Sequence, residues 1–262
     1  MTKKEDSASQ ARIEQAMHEL FIAVPQATLR AEDRKKSCEM VGFLSEIERV
    51  VAELKKTRPL LLVDAACGKA PVALLAARLV LLPRFARLSL VAIERDPRVA
   101  ERASAAAHRV VPGLELDVRV GDVGDPVLWP AEPDLVVALH ACGTAADAIF
   151  TRAAHAKARH LLVVPCCTSE AMPAVQQARL AAEHLGIVRQ AEVRRRWIQS
   201  WVDNLRTSTL EAAGYHVEVA AFVPPTVTPH NLVWRARRVG EPARMRQARA
   251  RLERMQSVSR AL

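Results

Sequence analysis

The sequence predicts an α/β fold: a doubly wound, mostly parallel seven-stranded sheet with a terminal antiparallel pair, preceded by a small helical cap. Two observations predict it. First, five short apolar runs alternate with stretches of helical periodicity between Leu60 and Leu185, and that alternation requires parallel strands joined by crossover helices. Second, two further strand-like runs follow, joined by Pro224-Pro225-Thr226-Val227-Thr228-Pro229, and these are the expected terminal pair.

The elements follow in order. Residues 1–10 are polar and charged and read as disordered. From Ala11 to about Lys56 the pattern is helical: Ile13, Met17, Leu20 and Phe21, then Met40, Phe43, Leu44, Ile47 and Val51, recur near the 3.6-residue period, with a charged stretch from Arg30 to Lys36 between two helices. Leu60 to Asp64 is a continuous apolar run ending in an acid, which suits a strand buried on both faces. A glycine-containing turn and a helix from about Pro71 to Leu82 come next. Further strands are expected at Leu88–Glu94, Glu115–Val120, Asp134–Leu139 and His160–Val164, with helices at Pro97–Arg109, Ala145–Lys157 and about Glu170–Leu185. A basic segment, Arg189 to Trp201, precedes a helix that Gly214 stops. Tyr215–Val223 and Asn231–Arg237 form the last two strands. Residues 241–262 read as an arginine-rich helix with Met245, Leu252 and Met255 on one face. The implied organisation is a cap over 1–56, a main domain over 57–240 and a basic helix over 241–262.

Bulk properties bound the function. The 262 residues are 50% hydrophobic and 26% charged, as a folded globular chain is. Aromatics supply only 4%, so the core must rest on Leu, Val, Ile and Ala. No apolar run reaches about 18 residues, so no membrane span is expected. The N-terminus carries no secretory pattern and the five cysteines are odd in number, which points to reduced thiols in a cytoplasm. A formal charge of +9 favours an anionic partner, nucleic acid first. The plainer alternative is an arginine-rich surface with no such partner.

Chemistry gathers at the strand ends. Asp64-Ala65-Ala66-Cys67-Gly68-Lys69-Ala70 follows the first strand, where S-adenosylmethionine enzymes carry Asp-x-Gly-x-Gly-x-Gly. Such a turn lets the backbone approach the methionine part of the cofactor, and the helix start beyond it favours a carboxylate. Gly68 is kept, while Ala66 and Ala70 stand where glycine is usual. Glu94 ends the second strand, where an acid can accept both ribose hydroxyls. Asp122 ends the third, where an acid can hold the adenine amino group. All lie on the carboxyl edge of a Rossmann-like sheet, where ligands bind. Gly-x-Gly-x-x-Gly is absent, which argues against a nicotinamide cofactor.

Beyond the fourth and fifth strands lie Leu139-His140-Ala141-Cys142-Gly143 and Pro165-Cys166-Cys167. Together with Val63–Lys69 and Thr228-Pro229-His230-Asn231-Leu232, these segments resemble the methyltransferase domain shared by a tRNA ribose 2′-O-methyltransferase family and by a methyltransferase fused to a glutathione-transferase C-terminal-like domain. The resemblance runs from about Arg34 to Arg237. It implies S-adenosylmethionine as cofactor, held by Asp64, Ala66, Gly68, Glu94, Asp122 and His140. It also implies that Lys36 and Asn231 meet the substrate.

Four roles stay open for the His140/Cys142/Cys166 group. His140 is a candidate general base, since an imidazole titrates near neutrality. Cys166 is a candidate nucleophile toward a pyrimidine ring. The cysteines can instead line a snug pocket as small hydrophobes. Metal binding stands last, because two short pairs lack a Cys-x-x-Cys knuckle, and no metal ligand is assigned. The Asn/Asp-Pro-Pro-Tyr/Phe segment of adenine-N6 methylation is missing after the fourth strand. Arg195 and Trp201, in the basic segment with Trp197, are candidates for phosphate binding and base stacking. The expected function is methylation of RNA on a ribose hydroxyl or a base. The alternatives are a small-molecule or protein methyltransferase, and a non-catalytic RNA-binding module with a decayed cofactor fold.

Overall fold

β1 (Leu60–Ala65) lies inside the sheet: every residue but Leu61 is buried, which only a strand with neighbours and helices on both faces allows. The computed structural model describes residues 11, 15, 31–55, 57–111 and 113–260. The remaining strands are β2 (Leu88–Glu94), β3 (Leu116–Val120), β4 (Leu135–Ala141), β5 (His160–Pro165), β6 (Tyr215–Ala221) and β7 (Leu232–Arg238). Their order is β3-β2-β1-β4-β5-β7-β6. The first five are parallel, and β7 lies between β5 and β6, antiparallel to both. The fold is thus the expected doubly wound sheet, and the terminal pair joins it through β7.

The helices are α1 (Ala31–Ala52), α2 (Pro71–Ala76, prolonged by a π-helical turn to Leu81), α3 (Pro97–Val110), α4 (Thr144–His155), α5 (Pro173–His184), α6 (Ala191–Ala212) and α7 (Pro242–Arg260). The expected disorder of 1–10, and the helix carrying Ile13 to Phe21, fall outside the described residues. Two boundaries differ from expectation. The charged stretch up to Lys36 forms the first turns of α1, and the basic segment is the first half of α6. Both were set apart because charge interrupts apolar periodicity; charge on an exposed face does not interrupt a helix.

α1 is part of the core. Phe43 and Ile47 are fully buried in the cluster that holds Leu62, Leu74 and Leu90. Gly42 makes this approach possible, since a Cβ there would stand 2.5 Å from Val223 and 2.8 Å from the carbonyl oxygen of Phe222. Phe43 then packs edge-on to Phe222, with ring centroids 6.0 Å apart. Arg235 on β7 grips Glu46 with two bonds of 2.7 and 2.8 Å, a bidentate geometry that fixes α1 against the sheet. α7 closes the other flank: Met255 packs on α5 and α6, and Arg244 and Arg251 pair with Glu211. Among the described residues no helix is long and apolar enough to cross a membrane.

Candidate active site

The loop after β1 has an unusual backbone. Ala66, Gly68 and Ala70 have φ of 58°, 57° and 56°, so every second residue is left-handed. Three hydrogen bonds hold this form: Cys67 N–H to Ile93 O at 3.0 Å, Gly68 N–H to Glu94 Oε2 at 3.0 Å, and Ala70 N–H to Cys67 O at 2.9 Å. The alanines therefore adopt the conformation that glycine adopts cheaply. A Cβ on Gly68 would meet nothing within 4 Å, so the loop faces open space there.

Asp64 is buried, and its Oδ2 accepts the Ala73 N–H of α2 at 3.1 Å. Burial pushes its carboxyl up to about 7, with the Ala73 bond opposing and the Glu94 charge adding to the rise. Burial likewise pushes the Cys67 thiol up, which leaves it unreactive. Glu94, half-buried at the end of β2, accepts Gly68 N–H on one oxygen and Asp96 N–H, at 2.9 Å, on the other. Each oxygen keeps a second lone pair for a hydroxyl. Asp122 is exposed beyond β3 and accepts Gly124 N–H at 2.7 Å. The structure thus brings Glu94 and the Gly68 loop together and places Asp122 one strand away, while Asp64 supports the loop from beneath.

On the other side of β1, β4 ends in a bulge. The β4–β5 register slips between Leu139 and Ala141, and His140 between them has φ 64°. The bulge turns His140 toward α1, where its Nε2 lies 2.7 Å from Glu39 Oε2. Glu39 is almost fully buried. With Glu39 ionised, Nε2 carries the imidazole proton and Nδ1 is left as the lone pair. Sequence reasoning missed Glu39; its only trace was an acid which, like Glu46 seven residues on, interrupts an otherwise apolar helical stripe. Lys36, one turn earlier on α1, is exposed at the same edge.

The next loop pair carries the cysteines. Gly143 N–H donates to Cys167 O at 3.1 Å, and Cys166 N–H to Ala141 O at 3.4 Å. Cys142 and Cys166 form a disulfide, with Cα atoms 5.3 Å apart. The Cys167 thiol is free, 3.7 Å from Cys142 Sγ and 3.5 Å from Cys166 Sγ. Cys142 and Cys167 are exposed and Cys166 is half-buried. Cys166 as a nucleophile would first have to be freed from its disulfide.

Cys166 and Cys167 open onto a cavity of about 140 Å³ that α6 lines with Gln199, Asp203 and Arg206, and the β6–β7 connection with His230 and Asn231. Arg206 is buried; its Nε donates to Asp147 at 2.7 Å, while its Nη2 has no hydrogen-bond partner among the described residues. Burial raises the Asp203 carboxyl to about 6, against the pull of Arg206 and with the help of Asp147. Asn231 donates to Val223 O at 2.9 Å. A cavity of about 600 Å³ along β2 and β3 holds none of the expected site residues.

One expectation about the substrate surface changes. Trp201 is 8% exposed and packs with Ala178, Ala181 and Met255, its ring 5.7 Å from that of Trp197. It builds the α5–α6–α7 contact and does not present a face to a base. Arg237 and Arg238 pair with the beginnings of β5 and β6, at the edge of the sheet opposite to the site. Arg195 remains exposed, bonded to Glu192 at 2.7 Å.

A doubly wound sheet with a cradle after β1, an acid after β2 and a second acid after β3 defines an S-adenosylmethionine-dependent methyltransferase. The chain belongs to the methyltransferase-domain family, whose profile matches residues 35–173, just over half of its 262 residues. Magnesium protoporphyrin IX methyltransferase (ChlM) from Synechocystis PCC 6803, solved with bound SAH, shares its fold at a TM-score of 0.50 and 12% identity, over 89% of this chain and 98% of that one. The same enzyme with SAM gives 0.50 and 11%, over 89% and 97%. A Pyrococcus horikoshii protein described as an RNA methyltransferase gives 0.49 and 12%, over 92% and 100%. No curated protein sequence matches the chain.

Proposed function

We propose that the chain transfers the methyl group of S-adenosylmethionine to RNA, on a ribose hydroxyl or a base. The observation that carries the substrate is a polar stripe on α6. Gln199, Asp203 and Arg206 line the cavity beside the cysteines, and Arg195 lies one turn before Gln199 on the same face. The stripe leads from an exposed guanidinium to a buried one with an unpaired donor. Lys36 and Asn231 flank the same edge, as the resemblance to the tRNA ribose 2′-O-methyltransferase family implies.

The residues fit the cofactor. The open space at Gly68 would admit it, Glu94 has lone pairs for the ribose hydroxyls, and Asp122, exposed beyond β3, would accept from the adenine amino group. When bound, it supplies an electrophilic methyl on a sulfonium. Around it the chain's own groups act as follows. His140, held by Glu39 through Nε2, would take the proton of the acceptor hydroxyl on Nδ1. Glu39 steadies the imidazolium that results. The cytoplasm is the compartment that goes with an RNA substrate.

Filter binding of RNA pools across salt concentration tests the reading, together with transfer of labelled methyl groups. Salt-sensitive binding that Arg195→Ala weakens, with a salt slope lower by about 1, is expected. Absence of salt-sensitive binding at low ionic strength would sink it. The cavity favours the second reading, a small polar acceptor, if transfer occurs without RNA.

A further inference from the structure

The geometry points to a zinc site: Cys142, Cys166 and Cys167, when reduced, bind one zinc ion as thiolates and leave its fourth position open toward the cavity. Packing does not account for this cluster. Cys142 and Cys167 are exposed, and free cysteines gather as small hydrophobes only where they are buried. Neutral thiols gain little from one another, because S–H is a weak donor and sulfur a weak acceptor.

The distances suit a metal. Tetrahedral zinc with Zn–S near 2.3 Å places its sulfurs about 3.8 Å apart. Cys167 Sγ stands 3.7 Å from Cys142 Sγ and 3.5 Å from Cys166 Sγ, and all three lie within 4.8 Å of one another. The third edge is closed as the Cys142–Cys166 disulfide, and reduction lets side-chain rotation open it. The backbone beneath is already fixed by Gly143 N–H to Cys167 O and Cys166 N–H to Ala141 O. α4, a 12-residue helix, begins two residues after Cys142, and its N-terminal end favours thiolates.

Among the described residues no fourth His, Cys, Asp or Glu joins the group. Three protein ligands with a free position is the arrangement of catalytic zinc. The fourth ligand is water or the acceptor atom itself, whose acidity the ion would raise. The site stands whichever acceptor the enzyme uses.

The test uses the full chain under anaerobic conditions. A phosphine reductant opens the disulfide: the phosphine and a water molecule supply two electrons and two protons, leaving two thiols and the phosphine oxide. Cobalt(II) is then titrated, followed by zinc, each metal displacing the thiol protons into the buffer. One equivalent of cobalt per chain is expected, with thiolate–cobalt charge-transfer absorption that zinc abolishes. Cys142→Ser, Cys166→Ser and Cys167→Ser should each weaken binding by ~10-fold or more, with the circular dichroism of the folded chain kept. Cys38→Ser should bind as wild type. Absence of the absorption, wild-type affinity in Cys167→Ser, or a disulfide that survives the reductant overturns the site. Should the serine variants unfold, metal content of the wild-type chain purified under reduction decides: below a tenth of an equivalent after zinc addition, the proposal falls.

Discussion

Replacing Ala66 with glycine should stabilise the protein, against the usual direction of such a change. Ala66 sits at φ 58° and is only half-buried. An L-residue held left-handed costs about 1–2 kcal/mol, and glycine removes that cost. Glycine also makes the unfolded chain more flexible, which returns about 0.4–1 kcal/mol. The net gain is about 0.5–1 kcal/mol. Ala70 has the same φ, 56°, but is fully buried, so Ala70→Gly also forfeits the burial of a methyl, about 0.8 kcal/mol, and should come out near neutral. Gly68→Ala meets open space and should lose about 0.5–1 kcal/mol through the backbone alone. Urea unfolding followed by tryptophan fluorescence measures all three. Since the loop already has its glycine-like shape, Ala66→Gly should leave the affinity for S-adenosylhomocysteine within a few-fold of wild type. Loss of more than about 0.5 kcal/mol in Ala66→Gly would refute the left-handed conformation and the reasoning built on it.

Asp64→Asn should flatten the pH dependence of stability. The folded carboxyl titrates at about 7 against 3.8 when unfolded, so folding favours its protonated form. That stability is complete below pH 3.8 and is lost as pH rises through 7. The loss amounts to roughly 4 kcal/mol, which the asparagine should not show; parallel profiles from pH 4 to 8 would contradict the burial argument. His140→Ala should lower kcat by roughly 10²–10⁴. Glu39→Gln should lower it less and displace the pH–rate profile with KM unchanged, and kcat values equal to wild type in both would remove the base. Trp201→Ala should cost about 3–5 kcal/mol in unfolding experiments; a cost under about 1 kcal/mol with a fall in RNA affinity would return the ring to the substrate.

Local pattern revealed the sheet because each strand meets the same demand. β1, β2, β4 and β5 are buried on both faces, so their apolar runs are continuous and need no tertiary knowledge to recognise. The first half of α6 was harder. Arg194, Arg195 and Arg196 break the apolar period, yet Trp197 and Trp201 keep it four residues apart, and those two rings bind α6 to α5 and α7. Read as partners of the arginines they resemble a nucleic-acid surface; read as a period they are a core stripe. Packing settled the choice, since an indole buried against Met255 on α7 gains more than one offered to solvent.

The site divides along the same line. Asp64, Glu94 and Asp122 were legible because strand ends are fixed by strand lengths, and an acid closing a buried run is conspicuous. Glu39 was not, because its value depends on a contact 101 residues away in sequence. It could meet His140 only after a bulge gave that residue a φ of 64° and Gly42 let α1 close on Phe222. Arg206 was hidden for the same reason: nothing in Asn204-Leu205-Arg206 states that the guanidinium will be buried beside Asp147 and Asp203. The groups proposed to hold the cofactor sit where the parallel sheet must end, so the fold itself marks their positions. The groups proposed to meet the acceptor, His140 on β4 apart, come from α1, α6 and the β6–β7 connection, which reach the edge only through packing. A helix can turn any of its faces to that edge, so these residues carry no positional mark in the chain, and substrate preference in this fold is set by the elements whose role the sequence states least plainly.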